Sequence, residues 1–149
     1  IDAWVREAVD QGATILSGGE RMGNCYLPTL LSGVAPSTDI YQKEAFGPVA
    51  MTQMFSTNDE AYTYANHSHF SFHTAVFSQS LDRIDDAFCR LHASAIMVND
   101  HTAFRTDWMP FAGFKQSGLG VGGISQTIDA MQIDKMLVIN NEKRGAKVP

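Results

Sequence analysis

No apolar run in this sequence approaches the ~20 residues a membrane-spanning helix needs, and no signal-peptide pattern opens it. Cysteine is scarce, with only Cys25 and Cys89 in the chain. Two are too few for a secreted disulfide framework, so a reducing, cytoplasmic setting is expected. Positive charge is the minority: 11 Lys and Arg stand against 16 Asp and Glu, for a formal net charge of −5. The basic residues form no stripe, which removes the electrostatic footprint of a nucleic-acid binder. No nucleic-acid partner and no membrane are therefore expected. What remains is a globular composition, 44% hydrophobic and 18% charged over 149 residues, long enough to bury a core without disulfides or metals. Ile1 falls within a helix-like pattern, as expected for a piece cut from a longer polypeptide.

The periodicities alternate between helix and strand. Ala3, Trp4, Ala8 and the Val5/Val9 pair recur at helical spacing before Gly12, predicting a helix over 2–11 closed by a left-handed cap. Ala13 to Leu16 follows as a short strand. Tyr26 to Val34 is a second extended stretch, and Pro28 within it suits an edge or irregular strand. Ser37, Thr38 and Asp39 predict a short helical turn. Val49 to Phe55 is a mostly apolar strand, and Thr57 with Glu60 forms a capping box that opens a helix to about Asn66. Thr74 to Phe77 predicts a buried strand. Leu81, Ile84, Phe88 and Leu91 then make one apolar helix face opposite Asp82, Asp85, Asp86 and Arg90. Ala95 to Val98 is a strand, roughly Ile124 to Met131 a helix, and Met136 to Ile139 a short apolar strand before a frayed polar tail, 140–149. Strands alternating with single helices predict right-handed crossovers in an α/β fold, three-layered with a largely parallel sheet. Ligands bind beyond the carboxyl ends of such strands, which brings Asn99 and Asp100 into the candidate set.

Two stretches concentrate chemistry. In Glu44-Ala45-Phe46-Gly47-Pro48-Val49, a carboxylate and a ring stand two positions apart ahead of Gly-Pro, which gives the turn a defined shape. The acid can accept hydrogen bonds from hydroxyls, and the ring can pack on a flat heterocycle. The plainer alternative is a solvated charge and a core-filling phenylalanine. The second stretch, His101 to about Gly123, is longer than a mere connection requires. Its Phe104, Trp108, Met109 and Phe111 either wall a pocket or pack beneath the loop as a satellite cluster.

Other groups read more weakly. Cys89 sits late in a helix with Asp85 and Asp86 one turn back, which opposes thiolate formation. Cys25 lies in a turn with no histidine close in sequence. A cysteine hydrolase using Cys25 with His101 or His92 is the rival enzyme class, and a buried small hydrophobe is the expected state of both thiols. His67, His69 and His73 could supply imidazoles to zinc, but neither a helix nor a strand keeps all three on one face, and no metal is expected. Lys115 could meet a phosphate or a carboxylate, although a surface charge is the ordinary reading. Gly118, Gly120 and Gly123 spell a dinucleotide fingerprint without the preceding strand that gives it meaning.

Four motifs in order carry a resemblance: Lys43-Glu44-Ala45-Phe46-Gly47-Pro48-Val49, then Val98-Asn99, then Met109-Pro110-Phe111-Ala112-Gly113-Phe114-Lys115-Gln116-Ser117-Gly118, then Ile133-Asp134-Lys135-Met136-Leu137-Val138. Together they resemble the aldehyde dehydrogenase superfamily over nearly the whole chain. The part resembled is the C-terminal portion of the catalytic domain, 1–132, followed by the oligomerisation strand and tail, 133–149. The resemblance implies an NAD or NADP cofactor, with Glu44 bonding the nicotinamide ribose and Phe46 beside the nicotinamide. It also implies that the loop through Pro110-Phe111, with Phe104, Trp108, Met109 and Phe111, walls the aldehyde site. The family's cysteine nucleophile, its glutamate base, its oxyanion asparagine and its Rossmann portion lie upstream of the region matched. No catalytic residue is therefore assigned, the isolated chain is expected to be inactive, and the missing N-terminal part is an expected partner. A homo-oligomer through 136–139 is expected too, and a non-catalytic association module is the alternative. Two departures stand out. Ala112 and Ser71 replace family glycines, so the backbone at both should avoid positive φ.

Overall fold

The structure, a computed structural model, describes residues 1–140. Helix α1 (Asp2–Asp10) buries Val5 and Ala8 on one face. It stops where glycine permits: Gly12, at φ +103°, donates to the Val9 carbonyl and Ala13 reaches back to that of Ala8, both at 2.9 Å. That pair of bonds is a Schellman closure, with Ala13 packed inward as its apolar contact. Strand β1 (Thr14–Ser17) follows, then the hairpin of β2 (Arg21–Met22) and β3 (Cys25–Tyr26), then β4 (Thr29–Ser32).

Pro28 does not place its stretch at an edge. β4 is the central strand of a three-stranded sheet in the order β1-β4-β5, with β5 spanning Val49–Thr52. The ladder begins at Thr29, whose N–H donates to Pro48 O at 2.8 Å, so the missing N–H of Pro28 falls outside it. Helix α2 (Asp39–Gln42) lies in the crossover between the parallel strands β4 and β5. Its cap, Thr38, is buried and donates its hydroxyl to Ala35 O at 2.8 Å. Val5, Ala8, Ala13, Leu31, Val34 and Ile40 form the core here, flanked by Trp4, Tyr26, Tyr41 and Val49.

The second half repeats the pattern. The capping box forms at helix α3 (Asn58–His67): Thr57 Oγ1 accepts from Glu60 N at 3.2 Å, while the Glu60 carboxylate accepts from Ser56 N at 2.7 Å. Strand β6 (Phe70–Ser71) precedes β7 (His73–Val76), which runs parallel to β8 (Ala95–Val98) with helix α4 (Leu81–Arg90) in the crossover. The chain then makes β9 (Phe111–Ala112), β10 (Phe114–Lys115), β11 (Val121–Gly122) and helix α5 (Ile124–Ala130).

The α/β class holds, and the connections that carry α2 and α4 each join a pair of parallel strands. Among the described residues the strands are shared between one three-stranded and four two-stranded sheets, and the β4–β5 and β7–β8 pairs are not hydrogen-bonded to one another. Two expectations fail, the buried strand at β7 and the strand over 136–139, and one apolar helix face stays uncovered within residues 1–140. The apolar face of α4 is exposed, Leu81 at 80% and Phe88 at 68%, while Ala87 packs inward. β7 is only half-buried. Residues 136–139 form no strand, because a strand needs a ladder partner and these residues have none among the described residues; the exposed stretch they belong to includes Ile133, 94% accessible. The tail expected over 140–149 lies, apart from Asn140, outside the described residues.

Candidate functional site

The Glu44 turn is built as its sequence implies. Gly47 N donates to Ala45 O at 2.9 Å and Val49 N to Gly47 O at 2.8 Å, so the chain doubles back twice before β5 starts. Gly47 leaves room for the Ile1 side chain, which occupies the space a Cβ would take. The neighbouring cation is used elsewhere: Lys43 Nζ bonds the Asp39 carboxylate at 2.8 Å and lies 5.7 Å from the Trp4 ring centroid. Glu44 is exposed and has no hydrogen-bond or ion-pair partner among the described residues. Phe46 is 87% accessible, so it does not fill the core. Beside the turn, Ser17, Pro28, Thr29, Leu30 and Pro48 border an open groove of about 540 Å³. A carboxylate, which accepts hydrogen bonds, and an exposed ring thus stand two positions apart on one short, hydrogen-bonded turn.

The 101–123 loop is pinned from both ends. Asn99, at φ +56°, closes both amide groups on one residue, accepting from Ser78 N and donating to Ser78 O at 2.9 Å each. Its side chain therefore ties β8 to the segment after β7 and is not free for a ligand. Lys115, also at positive φ (+52°), extends Nζ to the carbonyls of Asn66 and Ser68 at 2.7 and 2.8 Å. It caps the C-terminus of α3, which corrects its reading as an anion contact or loose surface charge. Neither Ala112 nor Ser71 adopts positive φ, as expected. The Ser71 hydroxyl bonds His92 O and its N–H donates to Ser117 Oγ at 2.9 Å, so the side chain that replaces glycine anchors the loop.

The loop aromatics separate into two groups. Phe111 packs edge-on against Phe72 at 5.1 Å and near His73 at 6.2 Å, while His73 stacks on Phe72 at 3.8 Å. The His73 ring is fixed by a 2.9 Å contact between Nδ1 and Thr102 O. Phe104 is exposed, Trp108 is 78% accessible and Met109 is half-buried. The satellite-cluster reading thus describes Phe111 in part and leaves Trp108 with little protein cover. Arg105 went unremarked in the sequence, yet its guanidinium lies 4.5 Å from the Phe111 ring centroid. The available signal was its position, as the single Lys or Arg between Asp100 and Ala112.

The remaining groups do not assemble. Both cysteines are exposed, which corrects their expected burial. Cys25 faces Met22 across a two-strand hairpin, while His101 Nδ1 accepts from Ala103 N at 3.1 Å. No group of three metal-ligating side chains comes together among the described residues. No helix among them is long and apolar enough to cross a membrane. Charge clusters instead between helices: Arg90 bonds Asp59 at 2.5 Å, nears Asp86 at 3.7 Å and lies 4.6 Å from the Tyr62 ring centroid. The Asp59 hydrogen bond raises the Arg90 pKa further, so this cation stays charged and joins α3 to α4.

Fold and site together define a class: an α/β unit that holds a carboxylate-and-ring turn ahead of a parallel strand and a pinned aromatic loop beyond the carboxyl end of another. The aldehyde dehydrogenase family model matches residues 1–137, and the chain belongs to that family. Among its relatives, an aspartate-semialdehyde dehydrogenase of Pseudomonas canavaninivorans is 40% identical over 91% of this chain and 29% of its own length. A 3-sulfolactaldehyde dehydrogenase of Priestia aryabhattai is 34% identical over 94% of the chain and likewise 29% of its own. The crystal structure of aldehyde dehydrogenase 21 from Physcomitrella patens, in complex with the reaction product succinate, superposes with a TM-score of 0.88 at 32% identity, covering 98% of this chain and 30% of that one. The chain thus spans about three tenths of the length of the relatives it matches.

Proposed function

We propose that this chain is the C-terminal portion of an NAD(P)-dependent aldehyde dehydrogenase that oxidises an aldehyde to a carboxylic acid in the cytoplasm. The observation that carries the reading is the pair Glu44 and Phe46, both presented to solvent without a protein partner from a turn fixed by its own backbone bonds. Glu44 accepts hydrogen bonds from the nicotinamide-ribose hydroxyls, and Phe46 packs beside the nicotinamide. A bound nicotinamide supplies the hydride acceptor. Phe104, Trp108, Met109 and Phe111 wall the aldehyde side and limit its access to water. The cysteine nucleophile belongs to the polypeptide upstream, so residues 1–149 alone carry no dehydrogenase activity. The relatives named above act on aspartate semialdehyde and 3-sulfolactaldehyde or hold succinate, and each of these molecules bears a carboxylate or sulfonate. The substrate class proposed is accordingly an aldehyde with a second, anionic group.

Glu44→Gln in the full-length protein tests the reading. A charge-assisted bond to the ribose becomes a neutral one, a loss of about 1 kcal/mol. Hydride transfer in single-turnover experiments should slow about fivefold. Unchanged hydride-transfer kinetics would return Glu44 to a solvated loop charge.

A second role is supported by the exposed apolar run Ile133, Met136, Leu137, Val138 and Ile139. In it, residues 136–139 pair as a strand with a neighbouring subunit, giving a homo-oligomer. Light scattering checks this: a clean monomer of the full-length protein at high concentration would sink the idea.

A further inference from the structure

Between Asn99, fastened to Ser78, and β9, paired with β11, residues 100–110 make one hydrogen bond to the rest of the fold among the described residues. The others in this span are local. His101 N bonds Asp100, Ala103 N bonds His101 Nδ1, Phe104 N bonds His101 O, Met109 N bonds Thr106 O and Arg105 bonds Met109 O, none reaching past four positions. Such bonds shape the loop without placing it on the body of the protein. The exception is the 2.9 Å bond between His73 Nδ1 and Thr102 O. A carbonyl only accepts, so Nδ1 carries the proton and donates.

The same imidazole reaches the other end of the loop. It stacks on Phe72 at 3.8 Å with an interplanar angle of 10°, and both rings stand edge-on to Phe111, at 6.2 and 5.1 Å. The ring is half-buried, and its backbone opens β7, where it pairs in register with Ala95 of β8. Strand pairing holds the backbone and stacking holds the ring plane, so little side-chain freedom remains to be lost when Nδ1 meets Thr102. One side chain thereby joins Thr102, at the start of the loop, to Phe111, at its end. Phe104, Trp108 and Met109 lie on the stretch between.

We propose that His73 is a positioning residue for aldehyde oxidation: by bonding Thr102 O while packing with Phe72 against Phe111, it holds the loop in the arrangement that walls the aldehyde site. The proposal rests on the reading of that loop as the aldehyde wall. A displaced wall lets the aldehyde carbonyl turn away from the nucleophile, so the penalty falls on the chemical step more than on binding.

The test uses the full-length protein with two replacements that divide the contacts of this residue. His73→Phe keeps a ring and loses the donor, whereas His73→Asn keeps a donor at the position of Nδ1 and loses the ring. In His73→Phe, hydrogen exchange over 100–110 should speed up about fivefold, the equivalent of one lost hydrogen bond, with α1 and α3 exchanging as in the wild type. Single-turnover hydride transfer with saturating succinic semialdehyde should slow about fivefold, with KM changing less than about twofold. His73→Asn should recover most of both losses. Exchange and hydride transfer unchanged in His73→Phe, or His73→Asn failing as badly as His73→Phe, would overturn the assignment. So would a loosened loop with full hydride-transfer rates, or exchange that rises uniformly along the chain, the mark of a general contribution to stability. If the wild type oxidises no aldehyde, the dehydrogenase reading fails. Faster exchange confined to 100–110 in His73→Phe would then still support the tether on the loop, and unchanged exchange would overturn it.

Discussion

Truncating Phe46 to alanine separates a ligand-facing ring from a packing one. With 87% of the residue accessible, the ring buries almost nothing within residues 1–140 and should contribute little to folding. Fully covering such a side chain is worth about 3 kcal/mol at most, and a flat ligand covers one of its two faces. The expected loss on truncation is then about 1.5 kcal/mol, or about a tenfold rise in the cofactor dissociation constant. The assay is a fluorescence titration of the full-length Phe46→Ala protein with NADH and NADPH, run beside urea denaturation of the same samples. The outcome expected is weaker cofactor binding with a denaturation midpoint close to wild type. A loss of stability above about 1 kcal/mol with cofactor affinity unchanged would show that Phe46 packs against protein, and the ligand argument would fall.

Asn99→Ala removes two hydrogen bonds of about 1 kcal/mol each and leaves an alanine at positive φ, a further ~1 kcal/mol. Asn99→Gly loses the same bonds but relieves the backbone, so urea melting should rank Ala below Gly; the reverse order would refute the left-handed argument. Lys115→Met should raise hydrogen exchange at the end of α3, by about 1 kcal/mol of lost capping on an exposed site, and leave substrate affinity untouched. A fall in substrate affinity without faster exchange would restore the anion-contact reading. The bonds from Ser56 N and Tyr64 Oη hold the Glu60 carboxyl below its ordinary pKa. A depressed carboxylate stabilises the fold above its unfolded pKa, and that contribution is lost as pH falls through the lower folded value. Glu60→Gln should therefore melt earlier than wild type at neutral pH, with the gap closing below about pH 4; a gap independent of pH would contradict this.

Features whose cause lies within a few residues were legible in the sequence. The closure at Gly12 and the Thr57–Glu60 cap formed as predicted, because both depend on backbone groups at most five positions away. The Glu44 turn also formed as expected, since Pro48 restricts the backbone there and the closing bonds, Gly47 N to Ala45 O and Val49 N to Gly47 O, span only two positions each. Side chains with distant partners were not legible. Asn99 engages Ser78 and Lys115 reaches Asn66, each far along the chain, and no local pattern names such partners.

By itself the sequence determined the α/β alternation, the helix ends, and the ordered motifs that place the chain in the aldehyde dehydrogenase family. Tertiary structure decided which faces are covered. The stripe from Leu81 to Phe88 has the spacing of a buried helix face, but burial requires a second surface, and nothing within residues 1–140 supplies one. The same holds for 136–139, whose apolar run becomes a strand only when it has a ladder partner. Arg105 is the converse case: a lone charge in the sequence becomes an oriented guanidinium only once the fold brings it against Phe111.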